Sequence, residues 1–394
     1  MRDEAEVIVV GLGAAGSATL LALASRGVRC IGIDRFDPPH NLGSSHGASR
    51  LIRLCYFEHP DYVPLLRRSY ELWKELQAGA GGPIFRETGG LYIGTPESPF
   101  VAGSLASART HGLRHELLEP RESLARYPQL PIHPDEVAFF EPTTGVLFPE
   151  NAVAESLRRA RSLGALTLVN EEVISWEAGS GGIHVRSSTR SLRGRSLVIC
   201  AGAWMPWLVP ELGSALSVTR QVLAWFRPRD PQALYSPRMP AWAISRPDGS
   251  AHYGFPMLAP ESAGPAPGGP GFKVALHKAG EPATPLTLDR AARPAELEEL
   301  AQFLRERIPA AIHDPAEVLH SAVCMYTNTA DGHFLLDRHP KHANVVVVSA
   351  CSGHGFKFAP VLGEAAADLA TRGSTGLPVA FLGWRHRTQG DHRA

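Results

Sequence analysis

Four successive apolar residues, Val7–Val10, are followed by a long apolar run from Ala14 to Ser25 and a second short block, Cys30–Ile33. Blocks of four without polar alternation predict strands buried on both faces. The run between them predicts a helix, stopped by Gly27. This is the opening β-α-β unit of a doubly wound α/β sheet. Beyond Asp61, the residues Leu65, Leu66, Leu72, Trp73 and Leu76 recur at helical spacing. A second β-α-β stretch is expected from about Val146. There Asn151 caps a helix, Gly164 ends it, and apolar strands follow at 166–169, 183–185 and 197–200.

From about Ser217 the pattern changes to longer strands rich in aromatic and β-branched residues, at 218–226, 242–244, 252–255 and 272–277. One amphipathic helix interrupts them, from Pro294 to about Ile308, with proline at its permitted first turn. An antiparallel sheet in a second domain is predicted. A Pro/Gly-rich loop, Leu258–Gly271, lies between two of its strands. Val345–Ser349 is again a fully apolar strand, leading through a glycine-bearing loop to a helix from Pro360. The nucleotide-type sheet is therefore expected to be assembled from separated segments. No internal repeat is visible.

Composition narrows the class. The 394 residues hold 39 Lys+Arg and 39 Asp+Glu, so no net field favours nucleic acid or an acidic membrane. The expected partner is a small molecule. Five cysteines, at 30, 55, 200, 324 and 351, form no CxxC pair and no metal-type spacing, which points to a reducing compartment and no metal site. The apolar N-terminal run follows Asp3, Glu4 and Glu6, unlike a secretory leader, and no run reaches 18 apolar residues. A cytoplasmic chain is expected, as a monomer or homodimer. Only five lysines stand against 34 arginines, which singles out Lys273 and Lys357, because a compact ammonium acts differently from a guanidinium.

Four motifs carry candidate chemistry. Gly11-Leu12-Gly13-Ala14-Ala15-Gly16 follows a strand and opens a helix. Gly11 permits the tight turn, Gly13 a close backbone approach to a pyrophosphate, and Gly16 close helix–strand packing; Asp34 ends the second strand, in reach of ribose hydroxyls. The motif alone does not separate FAD from NAD. The stretch Gly43–Arg53 sets small residues around His46, Arg50 and Arg53, in keeping with backbone packed on a flat or charged ligand or with a loop of solvated arginines. The segment Ser321–Thr327 contains Cys324, which by itself reads as a buried inert thiol. Cys351–Lys357 lies between a strand and a helix, where α/β folds bind ligands, and its helix dipole and ammonium suit negative charge on a reduced flavin ring.

Together these motifs resemble the monomeric sarcosine oxidase and N-methyl-L-tryptophan oxidase family, among the D-amino-acid-oxidase-like flavoproteins. The resemblance runs over nearly the whole chain: DRFDPPH at 34–40, GSSHGASRLIR at 43–53, YVPLLRRSYELW at 62–73, EPTTGVLFPEN at 141–151, CAGAW at 200–204, RQVLAWF at 220–226, HYGFP at 252–256, AVCMYT at 322–327 and SGHGFKF at 352–358. It implies an α/β, two-domain fold. A Rossmann-like FAD-binding domain would come from residues 1–95, 145–215 and 320–394, and an antiparallel-sheet substrate domain from 96–144 and 216–319. It implies FAD held covalently through an 8α-S-cysteinyl link at Cys324. Further FAD contacts are implied at Gly11, Gly13, Ala14, Ala15, Gly16, Asp34, Arg35, Ser44, Arg50, Val173, Ala201, Gly202, Trp204, Gly353, Gly355, Phe356 and Lys357.

The same resemblance implies a clamp on the substrate carboxylate by Arg53 and Lys357, with Tyr253, His277 and Tyr326 around the substrate. It sets His46 and Arg50 beside the flavin ring and gives Lys273 the reduction of dioxygen. Ser45 stands where the family usually has histidine, and the loop before Lys273 is longer than usual. The activity implied is oxidation of a secondary amino acid, such as sarcosine, another N-methyl amino acid or a cyclic imino acid, to an imine, with dioxygen becoming hydrogen peroxide. The alternatives are a same-fold oxidase of a larger substrate, such as a fructosyl amino acid or a biosynthetic-pathway imino acid, a flavoprotein subunit without its own turnover, and an NAD-dependent dehydrogenase.

Overall fold

The computed structural model describes residues 3–213, 215–258, 271–278, 280–349 and 352–384. Most of the loop singled out above (residues 259–270) and Cys351 lie outside them. β1 (Val7–Val10), α1 (Ala14–Ser25) and β2 (Cys30–Ile33) form the opening unit as expected, and both strands are buried along their whole length. β1 and β2 pair in parallel, and β1 also pairs in parallel with Ser196–Ile199. The complete sheet has six strands: Leu335–His339, His342–Ser349, Ser196–Ile199, β1, β2 and Leu166–Leu168. Only the Leu335–His339 edge is antiparallel. The chain leaves β1 for neighbours on both sides, so the carboxyl end of β1 is a topological switch point, where α/β sheets bind ligands.

α1 is apolar nearly all round because it is enclosed. One face of the sheet packs Leu20 and Leu23 of α1 with residues of α2 (Tyr62–Gln77), α3 (Pro149–Ser162) and α5 (Ala359–Arg372) in one core cluster. The other face is covered by a three-stranded antiparallel sheet, Val173–Gly179, Gly182–Ser187 and Ser191–Gly194. The apolar segment at 183–185, expected as part of a β-α-β run, belongs to this small sheet. Its alternating burial is the mark of a strand buried on one face only. A second correction concerns α3. Phe148 is its N-cap and Pro149 its first residue, so Asn151 lies inside the helix, donating from Nδ2 to the Pro83 carbonyl at 2.9 Å.

The second sheet has eight strands, ordered Val318–Thr329, Leu216–Phe226, Phe272–His277, Ala251–Gly254, Ala241–Ser245, Gly90–Gly94, Val137–Glu141 and Glu116–Leu118. α4 (Pro294–Arg307) packs Leu300, Phe303 and Leu304 onto one of its faces. Gly90–Gly94 and residues 320–329 were expected within the nucleotide-binding segments. Both are strands of this sheet instead, because Gly90–Gly94 pairs with Ala241–Ser245 and Val137–Glu141, and Val318–Thr329 pairs with Leu216–Phe226 along nearly its whole length. No helix among the described residues is long and apolar enough to cross a membrane.

α5 crosses α1 backbone to backbone. A Cβ at Gly363 would stand 2.6 Å from the Ala18 carbonyl carbon and 2.7 Å from Thr19 N, neither of which can yield like a side chain. Gly363→Val is therefore expected to destabilise the protein by about 1–3 kcal/mol. Chemical denaturation measures this, and an unchanged midpoint would refute the close crossing.

Candidate functional site

Gly11 closes β1 at φ +85°, and a Cβ there would lie 2.5 Å from the Cys200 carbonyl oxygen. Gly16 turns back on the same loop, where a Cβ would fall 1.7 Å from the Gly11 carbonyl oxygen. The β1–α1 turn therefore closes only with glycine at both positions. Asp34 fastens the turn from the end of β2, accepting from Leu12 N at 2.6 Å and Phe36 N at 2.8 Å. Each oxygen keeps a further lone pair for a hydroxyl donor. Ser45 Oγ accepts from Ala14 N at 3.1 Å, at the first turn of α1.

A cavity of about 510 Å³ opens on this turn. Gly11, Gly13, Ala14, Ala15, Asp34 and Arg35 border it from the first β-α-β unit, with Val173, Ala201, Gly202 and Trp204 from the segments beside it. Its wall continues through Ser44, Arg50, Cys324, Tyr326, Gly353, Gly355 and Phe356. The cavity thus joins a phosphate-binding type of turn to a buried thiol. A Cβ on Gly13 would meet only Ser45 Oγ, at 3.3 Å, so the backbone there is open to a ligand. On size and donor set the residues fit a dinucleotide cofactor.

Gly16, His46, Arg53, Tyr253, Lys273, His277 and Lys357 are not among the lining residues. Gly16 supports the turn from below, and the others form a layer behind the wall. Cys324 Sγ lies 3.7 Å from the Ser44 carbonyl oxygen and 3.8 Å from Arg50 Nη2. Lys273 Nζ donates to the Gly47 carbonyl at 2.6 Å, the Ser49 carbonyl at 2.9 Å and Ser49 Oγ at 3.0 Å. Burial, and then Arg50, bring this ammonium well below its usual pKa, while Glu150 and Cys324 oppose them. His46 is buried in the same turn, its pKa pushed down to about 3 by burial and by Arg50 and Lys273, so its ring is neutral. Arg35 pairs with Glu172 at 3.2 Å, and Trp204 meets Phe36 edge-on.

Arg53 and Lys357 meet over one ring. The Arg53 guanidinium carbon is 4.4 Å from the Tyr56 ring centroid and Lys357 Nζ is 5.2 Å from it. Arg53 donates to Glu58 Oε2 at 2.6 Å and to the Cys55 carbonyl at 3.0 Å, while Lys357 Nζ donates to the His354 carbonyl at 2.8 Å. Burial alone would raise the Glu58 carboxyl, but Arg53, His354 and Lys357 outweigh it and hold it at about 2. Burial and the nearby Arg53 charge lower Lys357 to about 7. His277 Nδ1 lies 3.2 Å from the Tyr326 hydroxyl, which also interacts with Tyr253, so these three form one polar chain reaching the cavity through Tyr326. Burial lowers the His277 pKa and raises those of both tyrosines.

Sequence reasoning missed Tyr56, Glu58, Glu150 and His354. Tyr56 and His354 bond side chain to side chain, and His354 Nε2 lies 2.9 Å from the Gly332 carbonyl, which fixes the loop that carries Lys357. Glu150 stood in a quoted motif, and the LCYFEHP segment after Arg53 contains Glu58, but nothing one-dimensional marks a carboxylate as buried.

Residues 6–369 match the family described as FAD dependent oxidoreductase (DAO). Over 387 residues the chain is 42% identical to the monomeric sarcosine oxidase of Streptomyces avermitilis, covering 97% of each. It is 36% identical to the N-methyl-L-tryptophan oxidase of Salmonella dublin, over 93% of this chain and 94% of that one. The fold is similar to NikD, an unusual amino acid oxidase essential for nikkomycin biosynthesis, in its open form, with TM-score 0.82, 23% identity and coverage of 97% and 98%. It is also similar to L-proline dehydrogenase from P. horikoshii, with TM-score 0.80, 22% identity and 97% of each chain covered.

The cation pair makes a pH prediction. Lys357 is charged below its lowered pKa, so affinity for a small carboxylate such as acetate is highest below about pH 7 and falls as the pH rises through it. Titration calorimetry across that range reads this directly. Lys357→Met should remove the pH dependence, and a variant that keeps the same slope would exclude Lys357 as its source.

Proposed function

The chain belongs to the FAD-dependent oxidoreductase family, and we propose that it is an oxidase of secondary amino acids, oxidising the C–N bond of sarcosine, another N-methyl amino acid or a cyclic imino acid to an imine. The observation that carries this reading is the buried pair Arg53 and Lys357 over the Tyr56 ring, beyond the cavity that reaches from the β1–α1 turn to Cys324. FAD, when bound, supplies the two-electron acceptor for the hydrogen leaving the carbon next to nitrogen and hands the pair to dioxygen, which takes two protons and becomes hydrogen peroxide.

The protein's part is binding, orientation and charge. The Arg53 fork and the Lys357 point charge hold the substrate carboxylate. In the free protein Glu58 occupies the fork, so a substrate carboxylate competes with an internal one. Transfer needs the neutral amine, because a protonated nitrogen has no lone pair to assist. The His277–Tyr326–Tyr253 chain, with a neutral imidazole at one end, is suited to accept or relay that proton. Lys273 places a positive charge where dioxygen becomes reduced, stabilising developing negative charge. The imine is hydrolysed in water.

Cys324 is the attachment point for FAD in this reading, as an 8α-S-cysteinyl thioether. Its position on the cavity wall, 3.8 Å from Arg50 Nη2, supports it. A second reading is a same-fold oxidase of a larger substrate, a fructosyl or biosynthetic-pathway imino acid.

Two experiments test the reading. A peroxide-release screen over N-methyl amino acids, proline and pipecolate should return at least one substrate. Arg53→Ala should then raise its KM by the equivalent of about 2–5 kcal/mol, as for the loss of a desolvated charge pair. An unchanged KM would remove the clamp. Acid precipitation of the wild type should leave yellow protein, whereas Cys324→Ala should release its FAD to the supernatant. Release of FAD from the wild type under acid would refute covalent attachment.

A further inference from the structure

Gly47 and Ala48 adopt left-handed backbone in succession, at φ +100° and +66°. For an alanine this conformation costs about 1–2 kcal/mol, so the turn persists only because its surroundings hold it. Two opposite charges do so from two sides. Glu150 Oε1 accepts from Gly47 N at 2.7 Å and from Ala48 N at 3.1 Å. Lys273 Nζ donates to the carbonyls of Gly47 and Ser49 and to Ser49 Oγ, which uses all three of its protons. Carboxylate, peptide groups and ammonium form one row, with N–H groups toward the negative end and C=O groups toward the positive end.

The energetics of the row are unequal at its two ends. Glu150 is the second residue of α3, and the amino end of a helix favours its negative charge. Lys273 is buried, with the Trp225 and Phe255 ring centroids at 5.2 and 5.0 Å. The charged and titratable groups that act on it are Arg50, which opposes its charge, and Glu150 and Cys324, which support it. His46, in the same turn, is itself held neutral, in part by the charges of Arg50 and Lys273. If Cys324 carries the flavin as a thioether, it cannot provide a negative charge, and Glu150 is then the balancing anion.

We propose that Glu150 is a positioning residue for Lys273: it holds the 46–50 turn and supplies the counter-charge that keeps the buried ammonium protonated over the working pH range. The proposal rests on the reading that Lys273 assists dioxygen reduction, and it adds a residue that acts through the turn without touching substrate or oxygen. Glu150→Gln separates the two contributions, because the amide oxygen can still accept from both N–H groups while the charge is gone. Glu150→Asp keeps the charge at a shorter reach.

The test uses the flavin-loaded enzyme. Stopped-flow reoxidation by dioxygen, measured across pH, should be slow in Lys273→Met. In Glu150→Gln the fast limb should end about one pH unit or more below the wild-type value, since a nearby opposite charge is worth at least that. The sign follows from losing a group that favours the ammonium. Glu150→Asp should move the limb back toward wild type. A readout independent of turnover is the titration of Lys273 in 13Cε-lysine-labelled protein, where only five lysines contribute and Lys273→Met assigns the signal. Its midpoint should fall in Glu150→Gln. A Glu150→Gln enzyme with wild-type reoxidation and an unmoved Lys273 titration, beside a slow Lys273→Met, overturns the proposal alone. Wild-type reoxidation in Lys273→Met would remove the oxygen role itself, and the proposal with it. Should Glu150→Gln yield no flavin-loaded protein, the Lys273 titration is read in Glu150→Gln and wild-type protein both without flavin, and equal midpoints overturn the proposal.

Discussion

Burying positive charge is the constraint around which this protein is arranged. Arg53, Lys273 and Lys357 are exposed by only 3%, 4% and 5%. A charge removed from water must recover its lost solvation from acceptors, counter-ions and ring faces, or it gives up its proton. Lys273 recovers it from one turn of backbone, Lys357 from the His354 carbonyl and the Tyr56 ring, and Arg53 from Glu58, the Cys55 carbonyl and the rings of Tyr56 and Phe57. Two acids, Glu58 and Glu150, sit at the two ends of this cationic layer. Both acids favour the charged forms of the lysines they face, against the burial that disfavours them.

The eight-stranded sheet places Lys273 and the groups around Cys324 by alternation alone. Along Phe272–His277, Lys273 and His277 are four residues apart and so face the same side, with Ala275 between them. Tyr253 is the cross-strand partner of Ala275, which turns it to that side as well. Cys324 and Tyr326 are two apart on Val318–Thr329, and both border the cavity. One face of one sheet therefore carries the thiol, the polar chain and Lys273. The parallel sheet contributes the glycine turn on which the cavity opens. Arg53 and Lys357 come from neither sheet; Arg53 follows the short strand Arg50–Ile52 and Lys357 lies in a single 3-10 turn, Phe356–Phe358, leading into α5, the two segments being joined through Tyr56 and His354.

How far the sequence foretold this depended on how completely each segment is buried. β1 and β2 are covered on both faces, so their apolar blocks are uninterrupted and easily read. Val318–Thr329 mixes His320, Ser321, Thr327 and Asn328 with apolar residues and keeps no clean period, so a 12-residue strand was hidden in it. Val137–Glu141 buries a glutamate completely, because Glu141 accepts from the amides of Leu54 and Cys55 across the molecule. No local pattern announces that partner. At α3 two start signals competed, and proline at the first helical position prevailed over an asparagine cap, since its fixed φ and missing N–H suit that place. In the candidate site, Glu58 pairs with Arg53 only five residues away and Glu150 lies in a quoted motif, yet neither was singled out, because burial and the loop contacts that give them their partners are not visible in one dimension.

The choice of lysine at two of the four buried cations, Arg53, Arg220, Lys273 and Lys357, has a physical reading of its own. The chain has 34 arginines against five lysines, and the other three, Lys74, Lys278 and Lys341, are exposed and paired with carboxylates. A guanidinium keeps its proton under almost any burial, whereas an ammonium responds to its neighbours. Lys357, lowered to about 7, stands where a modest change in nearby charge alters its protonation, and a bound carboxylate is such a change. A carboxylate brought between Arg53 and Lys357 would raise the Lys357 pKa and so strengthen its own binding, at the cost of taking up a proton. Arginine at this position would hold the same anion without that coupling. If a carboxylate binds there, Lys357 takes up a proton as it does so, a coupling that follows from its lowered pKa and that an always-charged arginine would lack.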